Sequence, residues 1–110
     1  MSVYAQWSAA SENRDAEGMI ACLHEDYVFV RHQTGTQMDK AEMSTMLRAF
    51  MANDAVVVHQ QRCLYENSEV VVEHSTMSFP DGTSEAILSF HKLQDGLFVR
   101  SETGATPISK

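Results

Sequence analysis

The clearest pattern of hydrophobic and polar positions lies in the second half of the chain, over residues 55–103. Four runs of strand length alternate apolar with polar residues there, and Val, Ile, Phe and Leu supply most of the apolar positions. Short runs rich in β-branched and aromatic residues are typical of β-strands. The pattern predicts four strands, at residues 55–65, 69–79, 84–93 and 97–103.

Turn-forming residues separate these runs and indicate an antiparallel meander. Asp95-Gly96 suits a two-residue type I′ hairpin turn, which needs positive φ at both positions. The segment 80–83, Pro-Asp-Gly-Thr, is a four-residue loop in which Pro presets φ and Gly takes the left-handed conformation. A weaker turn signal lies at 66–68, so each strand is expected to pair with the next.

The turns also predict which residues share a face of the sheet, because opposed residues point the same way. The three turns pair His91 with Arg100, Val72 with His91, and Gln61 with His74. One face then carries His59, Gln61, Cys63, Val72, His74, Thr76, Ser89, His91, Phe98, Arg100 and Glu102. The other carries Val56, Val58, Arg62, Leu64, Val71, Glu73, Met77, Phe79, Leu88, Phe90 and Val99.

The first half of the chain reads as three helices and a short β-ribbon. Ser2 and Asp15 are suited to cap the first two helices, and a strand follows at 27–32 before the turn at 34–36. A returning strand leads to Asp39, which with Glu42 resembles a capping box. The inward faces are predicted to carry Val3, Trp7 and Ala10, then Met19, Ile20 and Leu23, then Met43, Met46, Leu47, Phe50 and Met51.

This order of elements predicts a single α+β domain over residues 1–110, since a chain of this length buries enough surface for one core. The net charge of −7, with only eight Lys and Arg, argues against a nucleic-acid-binding protein. Cys22 and Cys63 form no disulfide framework, which favours the reducing cytoplasm. We find no signal peptide and no stretch of transmembrane length, and we expect no membrane partner.

Several segments, in this order, resemble the nuclear transport factor 2-like superfamily, in particular its SnoaL-like and ketosteroid-isomerase-like branches. They are residues 14–19 (Arg-Asp-Ala-Glu-Gly-Met), 24–30 (His-Glu-Asp-Tyr-Val-Phe-Val), 34–36 (Thr-Gly-Thr) and the Asp95-Gly96 turn. The resemblance covers nearly the whole chain. It implies a cone-shaped fold, in which a curved antiparallel or mixed sheet wraps around three N-terminal helices. It also implies a pocket for a small apolar or amphipathic molecule, and a homodimer.

The residues that carry out catalysis in the isomerase branch are not retained. Aligned through residues 15–18, the position of its general-base Asp falls on Arg31, and that of its oxyanion-hole Tyr falls on Trp7. A guanidinium is already fully protonated and cannot abstract a proton. The resemblance therefore does not carry steroid-isomerase chemistry to this chain, but it does imply that Tyr27, Phe29 and Arg31 line the cavity.

Polar residues on the predicted pocket face suggest what the cavity holds. A buried guanidinium needs a partner, and Glu102 is placed to pair with Arg100. Arg31 would then bind an acidic ligand, unless both arginines extend to water at the rim. The predicted pocket residues are Trp7, Tyr27, Phe29, Arg31, His59, Gln61, His74, His91, Phe98, Arg100 and Glu102.

Histidine is the usual general base near neutral pH, and His74 and His91 are the candidate catalytic residues. The alternative is that both are satisfied polar side chains in a wet cavity. No metal-ligand spacing and no cofactor motif is present, so we predict neither a metal nor a cofactor.

Three functions stay open at this point. The chain binds a small organic ligand; or it is an isomerase, cyclase or hydratase with a sheet histidine as base; or it is a non-catalytic interaction module. The apolar outer face of the sheet is predicted to form the homodimer interface; its apolar residues are Val56, Val58, Leu64, Val71, Met77, Phe79, Leu88 and Phe90.

Overall fold

A computed structural model describes residues 2–108 and contains three helices and six strands among them. The elements follow the predicted order, although the first strand begins four residues earlier than expected, at Leu23. Leu23 is therefore the first residue of this strand and not the last inward residue of a helix. The elements are α1 (Val3–Glu12), α2 (Ala16–Ile20), β1 (Leu23–Arg31), β2 (Thr36–Asp39), α3 (Lys40–Ala52), β3 (Val57–Glu66), β4 (Val70–Ser78), β5 (Ser84–Gln94) and β6 (Leu97–Pro107).

The six strands form one curved, unclosed sheet in the order β2-β1-β6-β5-β4-β3. Strands β3 to β6 make the predicted antiparallel meander. Strand β1 lies parallel to β6, so the sheet is mixed. The helices pack against its concave face, and the α+β fold with a curved sheet around three helices is confirmed.

The helix caps are those indicated by the sequence. Ser2 and Asp15 accept hydrogen bonds from the third residue beyond them, which satisfies backbone donors at the starts of α1 and α2. Asp39 and Glu42 form the reciprocal capping box of α3, with bonds of 2.9 and 3.1 Å. These local contacts fix where each helix begins.

Arg14 joins the two ends of the helical layer. It follows α1 with a left-handed backbone (φ 55°), and its guanidinium donates to the carbonyls of Phe50, Met51, Asn53 and Val56 at 2.7 to 3.1 Å. Three of these carbonyls lie at the C-terminal end of α3, where helix geometry leaves carbonyls unpaired. Arg14 therefore fixes the end of α3 relative to α1.

Each of the three predicted cross-strand pairs is wrong by one residue. The loop between β4 and β5 spans residues 79–83, with Phe79 and Thr83 bonded to each other, so that Ser78 opposes Ser84 and Val71 opposes His91. The Asp95-Gly96 turn pairs Leu93 with Phe98 as predicted. The register then shifts on β6 and places Ser101, not Arg100, opposite His91. Such irregularities shift every later side chain to the other face.

These shifts exchange the faces of several side chains. Val58, Glu73, Met77 and Phe79, predicted to point outward, line the concave face, and Val71 is fully buried beneath the helices. Val56 is also buried. A bulge at Gln60, whose φ is 51°, moves β3 out of its predicted register beyond His59 and pairs Arg62 with His74. The residues predicted to face the pocket but found on the convex face are His59, Val72, His74, Thr76, Arg100 and Glu102.

The hydrophobic core lies between the concave face of the sheet and the helices. It is built around Trp7 from α1, Met19 from α2, and Leu47 from α3, packed on Tyr27 and Phe98 of the sheet. Within residues 2–108 no helix is long and apolar enough to cross a membrane.

Candidate functional site

A cavity of about 140 Å³ lies between the helices and the concave face of the sheet. Strand β5 shows its orientation, because Glu85, Ile87, Ser89 and His91 all line it. Glu85 is partly exposed at one end and His91 is buried at the other. Six residues of strand separate them, or about 20 Å. The cavity therefore runs from a partly open mouth near Glu85 to a closed end near His91.

Aromatic rings shut the closed end. The imidazole of His91 stacks on Phe98 with ring centres 4.1 Å apart, and Trp7 packs edge-on against both rings, at 5.9 Å from His91 and 5.3 Å from Phe98. Phe98 has no exposed surface and lies outside the cavity lining, behind the imidazole. These contacts hold the plane of the His91 ring fixed.

A chain of polar side chains crosses this closed end. Gln61 Nε2 donates to Glu73 Oε1 at 2.9 Å, and Glu73 Oε2 lies 2.5 Å from His91 Nε2. The other ring nitrogen of His91, Nδ1, lies 2.6 Å from Ser101 Oγ. Because Glu73 and His91 are only 4% and 3% exposed, each needs the other to satisfy its polar atoms away from water.

Tyr27 stands beside this chain with an unpaired hydroxyl. Its side chain is 2% exposed and lines the cavity, and its hydroxyl oxygen has no hydrogen-bond partner among the described residues. Burial raises the pKa of Tyr27 well above its usual range; the nearby Ser101 hydroxyl opposes this effect and the Glu73 charge adds to it. The phenol is therefore a neutral hydrogen-bond donor.

An ion pair marks the mouth. Arg31 Nη2 lies 3.4 Å from Glu85 Oε1 and 3.5 Å from Gln33 Oε1. The Arg31 side chain is 34% exposed, whereas that of Glu85 is 13% exposed. The guanidinium thus has a protein partner and contact with water, so its burial does not require a ligand.

Between the two ends the wall is mainly apolar. Helix α3 and strands β4 and β5 supply most of it, and methionines are prominent. Methionine side chains are flexible and polarisable and adapt to ligands of irregular shape. The apolar residues of the wall are Met43, Met46, Leu47, Phe50, Met51, Val58, Met77, Phe79 and Ile87.

A second cavity, of about 440 Å³, lies between α1 and β3 and shares Ser11, Met51, Val58 and Gln61 with the first. The residues that it adds include Glu12 and Arg14. Arg14 is already bonded to four carbonyls, so its guanidinium is not free to anchor a ligand in this cavity.

The structure brings six of the predicted pocket residues into the lining: Trp7, Tyr27, Phe29, Arg31, Gln61 and His91. Phe98 lies behind His91, outside the lining, and the other four lie on the convex face, where three of them contact polar neighbours. His59 bonds Ser78, and Arg100 pairs with Glu102, which also bonds His32. His74 opposes the exposed Leu88. The structure therefore corrects the predicted placement of His59, His74, Arg100 and Glu102 in the cavity. His74 lies on the opposite face of the sheet from the cavity, so it cannot act as a base there.

Sequence reasoning missed Glu73, Ser101 and Glu85. The run from Val70 to His74 contains Val-Val-Val-Glu-His, which fits either facing of the strand equally well. The register shift on β6 places Ser101 and Thr103 on the concave face, although the predicted register did not, and the sequence carries no local signal for this shift. Glu85 could not be identified as a pocket residue from the sequence, because its contact with Arg31 exists only in the folded chain.

The arrangement can bind an uncharged polar group and can relay a proton. Both ring nitrogens of His91 are engaged, so the imidazole does not present a free nitrogen to the cavity. A proton could reach it only through the Ser101 hydroxyl or the Glu73 carboxylate. Over residues 2–108 no group of three His, Cys, Asp or Glu side chains is arranged to hold a metal ion.

Comparison with known proteins identifies the fold. A family model described as a SnoaL-like domain matches residues 4–101. A structure of an NTF-2-like protein of unknown function from Burkholderia xenovorans superposes with a TM-score of 0.80 at 13% identity, covering 98% of this chain and 83% of that one. At these identities the likeness concerns the fold alone.

Two further solved structures carry functional names. A putative ketosteroid isomerase from Kribbella flavida superposes with a TM-score of 0.80 at 16% identity, covering 98% of this chain and 78% of that one. A putative polyketide cyclase from Silicibacter sp. superposes with a TM-score of 0.74 at 20% identity, covering 94% and 86%. A search of curated proteins found no match.

Proposed function

We propose that this chain, which belongs to the SnoaL-like domain family of the nuclear transport factor 2-like superfamily, binds a small, largely apolar molecule in its cavity. The main support for this proposal is a cavity with an apolar wall that ends in buried polar groups, one of which has no hydrogen-bond partner among the described residues. Ligand sites commonly combine an apolar wall with a few polar groups that fix orientation.

The volume of the cavity supports a ligand of about one ring. An engineered protein cavity of about 150 Å³ binds benzene, and the present one, at about 140 Å³, is similar in size. The mouth near Arg31 leaves room for a substituent to reach water. A large ligand would have to displace the methionine wall.

The charges of the cavity favour a neutral or amphipathic ligand over an acidic one. The expectation of an acidic ligand depended on Arg31 lacking a protein partner, but Glu85 lies 3.4 Å from it. The cavity also holds the carboxylate of Glu73 at its closed end. An anion that entered fully would meet two carboxylates and one guanidinium that is already paired.

A variant that fills the cavity tests the proposal. Ser89 lies in the middle of the lining, between Glu73 and Thr103 on the neighbouring strands. Ser89→Phe should fill the space, whereas Thr106→Phe adds the same ring at an exposed position outside the lining and serves as the control.

Acetophenone, benzoate and benzylamine have similar size and different charge, and thermal-shift titration would compare them. We expect acetophenone to raise the melting temperature of wild type and Thr106→Phe but not of Ser89→Phe. Equal stabilisation of all three chains would place the ligand elsewhere, and no stabilisation of wild type by any of the probes would contradict a ligand site in this cavity.

A second candidate function is an isomerase, cyclase or hydratase that moves a proton through the Ser101–His91–Glu73 chain. The hydrogen-bonded order of these groups supports it, because Ser101 can pass a proton to His91 while Glu73 stabilises the imidazolium. The names of the two similar structures, a putative ketosteroid isomerase and a putative polyketide cyclase, are compatible with this chemistry.

Deuterium exchange at the methyl group of acetophenone in D₂O would measure such proton transfer. The enzyme hypothesis expects wild type to accelerate exchange and His91→Gln and Ser101→Ala to remove the acceleration. If wild type binds acetophenone but exchange proceeds at the rate of buffer alone, the protein binds the ligand without catalysis and His91 is not a base for this reaction.

We also propose that the chain forms a homodimer through the convex face of its sheet. Tyr65, Val72 and Phe90 lie in register across β3, β4 and β5, beside Leu88. Tyr65, Leu88 and Phe90 are 58%, 49% and 38% exposed. Apolar surface of this kind often marks an interface. A dimer that binds none of the probes would instead favour the third hypothesis, a non-catalytic interaction module.

A cytoplasmic location remains part of the proposal. Cys22 and Cys63 are both free thiols, one buried and one exposed, as expected for a reducing compartment. Cell fractionation of the tagged native protein would test it.

A further inference from the structure

We infer that the Tyr27 hydroxyl is the donor that recognises the ligand, and that the ligand carries an uncharged oxygen acceptor (a carbonyl, ether or hydroxyl oxygen) at its buried end. This inference rests on the proposed function of the cavity. Tyr27 is 2% exposed, lines the cavity, and has a hydroxyl without a hydrogen-bond partner among residues 2–108. Buried hydroxyls are nearly always paired, so an unpaired one in a cavity wall points to a partner that enters from outside.

The surroundings of Tyr27 determine which role its hydroxyl takes. Burial favours the protonated phenol over the phenolate. The neighbouring Ser101 hydroxyl is engaged with His91 Nδ1 at 2.6 Å, and both Glu73 oxygens are engaged with Gln61 and His91. Tyr27 therefore has a proton to donate, and neither Ser101 nor Glu73 is placed to accept it.

The same surroundings exclude charged groups at the buried end. A carboxylate placed against Tyr27 would lie close to the buried carboxylate of Glu73, and like charges repel strongly where water is excluded. An ammonium group would be attracted to Glu73 but has no acceptor atom, so Tyr27 would stay unpaired. A neutral oxygen acceptor satisfies the phenol without adding a charge.

A matched pair of probes isolates this hydrogen bond. Acetophenone and α-methylstyrene have nearly the same shape, but the carbonyl oxygen of the first is a methylene group in the second. Their dissociation constants would be measured by NMR titration for wild type, Tyr27→Phe and Tyr65→Phe. Tyr65 is exposed on the convex face, and its replacement controls for the loss of a phenolic hydroxyl.

We expect wild type and Tyr65→Phe to bind acetophenone about tenfold more tightly than α-methylstyrene, beyond the difference in their solubilities, because one buried hydrogen bond is gained. Tyr27→Phe should remove this preference while keeping its affinity for α-methylstyrene. Tyr27→Phe should also fold at least as stably as wild type without ligand, because it removes an unpaired buried polar group.

Infrared spectroscopy of carbonyl-¹³C acetophenone provides a readout that altered packing would not reproduce. A hydrogen bond from Tyr27 lowers the carbonyl stretching frequency of the bound probe in wild type, and Tyr27→Phe should return it to the frequency seen in an apolar solvent.

The outcomes separate the two proposals. If wild type binds both probes without preference, or if Tyr27→Phe keeps the preference, Tyr27 does not recognise the ligand, although the cavity still binds it. If neither probe binds wild type, the proposed binding function fails together with this inference.

Discussion

Arg14 provides a sharp test of how the structure holds the pocket in place. Its guanidinium donates to four carbonyls at the end of α3 and in the segment that follows it, and two of these belong to Phe50 and Met51, which line the cavity. Arg14→Met removes the charge and the donors but keeps the apolar length of the side chain. Arg14→Lys keeps the charge but offers no planar fork, so it can satisfy only part of the set.

The expected loss follows from the number of bonds and their exposure. Net contributions of about 1.5–3 kcal/mol have been measured for hydrogen bonds to charged groups, and they do not add fully. Because the carbonyls are only partly buried and regain water in the variant, we expect Arg14→Met to lower the free energy of unfolding by about 3 kcal/mol. Unfolding entropies of about 2.1 cal/mol/K per residue give about 0.23 kcal/mol/K for 110 residues, so the melting temperature should fall by about 13 °C.

Urea unfolding followed by circular dichroism would measure these losses, with calorimetry for the melting temperature. Arg48→Met is the matched control, because the Arg48 guanidinium contacts only the exposed Glu17 and both side chains are more than half exposed. We expect the control to unfold with wild type and Arg14→Lys to fall between wild type and Arg14→Met. An Arg14→Met chain as stable as Arg48→Met would refute the reasoning.

Three further predictions concern the polar chain, the convex face and the buried thiol. Glu73→Leu should destabilise the fold by about 3 kcal/mol in urea unfolding, because it leaves His91 Nε2 unpaired in a dry site, and adding His91→Leu should recover part of the loss. Leu88→Lys should convert a dimer into a monomer in light scattering, while Ala49→Lys, at an exposed position on α3, should not; two dimeric variants would argue against this interface. Burial raises the pKa of Cys22 to about 11, above the free-thiol value of about 8.5, so the native state holds this proton more tightly than the unfolded chain. The contribution of the protonated Cys22 thiol to the free energy of unfolding is fully present below about pH 8.5, and it is lost as the pH rises towards 11. Cys22→Ala should therefore lose less stability between pH 9 and 11 than wild type, and parallel pH profiles would contradict this assignment.

Local signals predicted most of the fold. The cap residues Ser2, Asp15 and Asp39 set the helix starts, and Asp95-Gly96 forms the expected turn with positive φ at both positions. These features depend on contacts within a few residues, so a sequence reveals them directly.

The inner face of the sheet could be predicted only in part, because it depends on irregularities that have no local signal. The bulge at Gln60 displaces the pairing of β3 with β4, and the register shift next to Leu93 displaces the pairing of β5 with β6. One extra residue at each reverses the facing beyond it. Ser101 was missed because of the shift on β6, and Glu73 was missed because the loop between β4 and β5 has one residue more than predicted.

The ion pair at the mouth shows a second limit. The sequence indicated that a buried Arg31 needs a partner, and that reasoning was sound. It could not identify Glu85 as the partner, because the two residues are 54 positions apart and meet only after β1, β6 and β5 come together. Whether Arg31 is free to bind an acidic ligand could therefore be decided only from the assembled sheet.

The most direct test of ligand binding uses the methionine methyl groups as probes. Five of the seven methionines, at positions 19, 43, 46, 51 and 77, line the cavity, and Met38 lies outside its lining. Protein labelled with ¹³C at the methionine methyls would be titrated with acetophenone and followed by NMR. We predict saturable shifts of the cavity methionines, little change at Met38, and no saturation in Ser89→Phe. Unchanged cavity methyls at saturating probe, or equal shifts at Met38, would contradict a ligand site in this cavity.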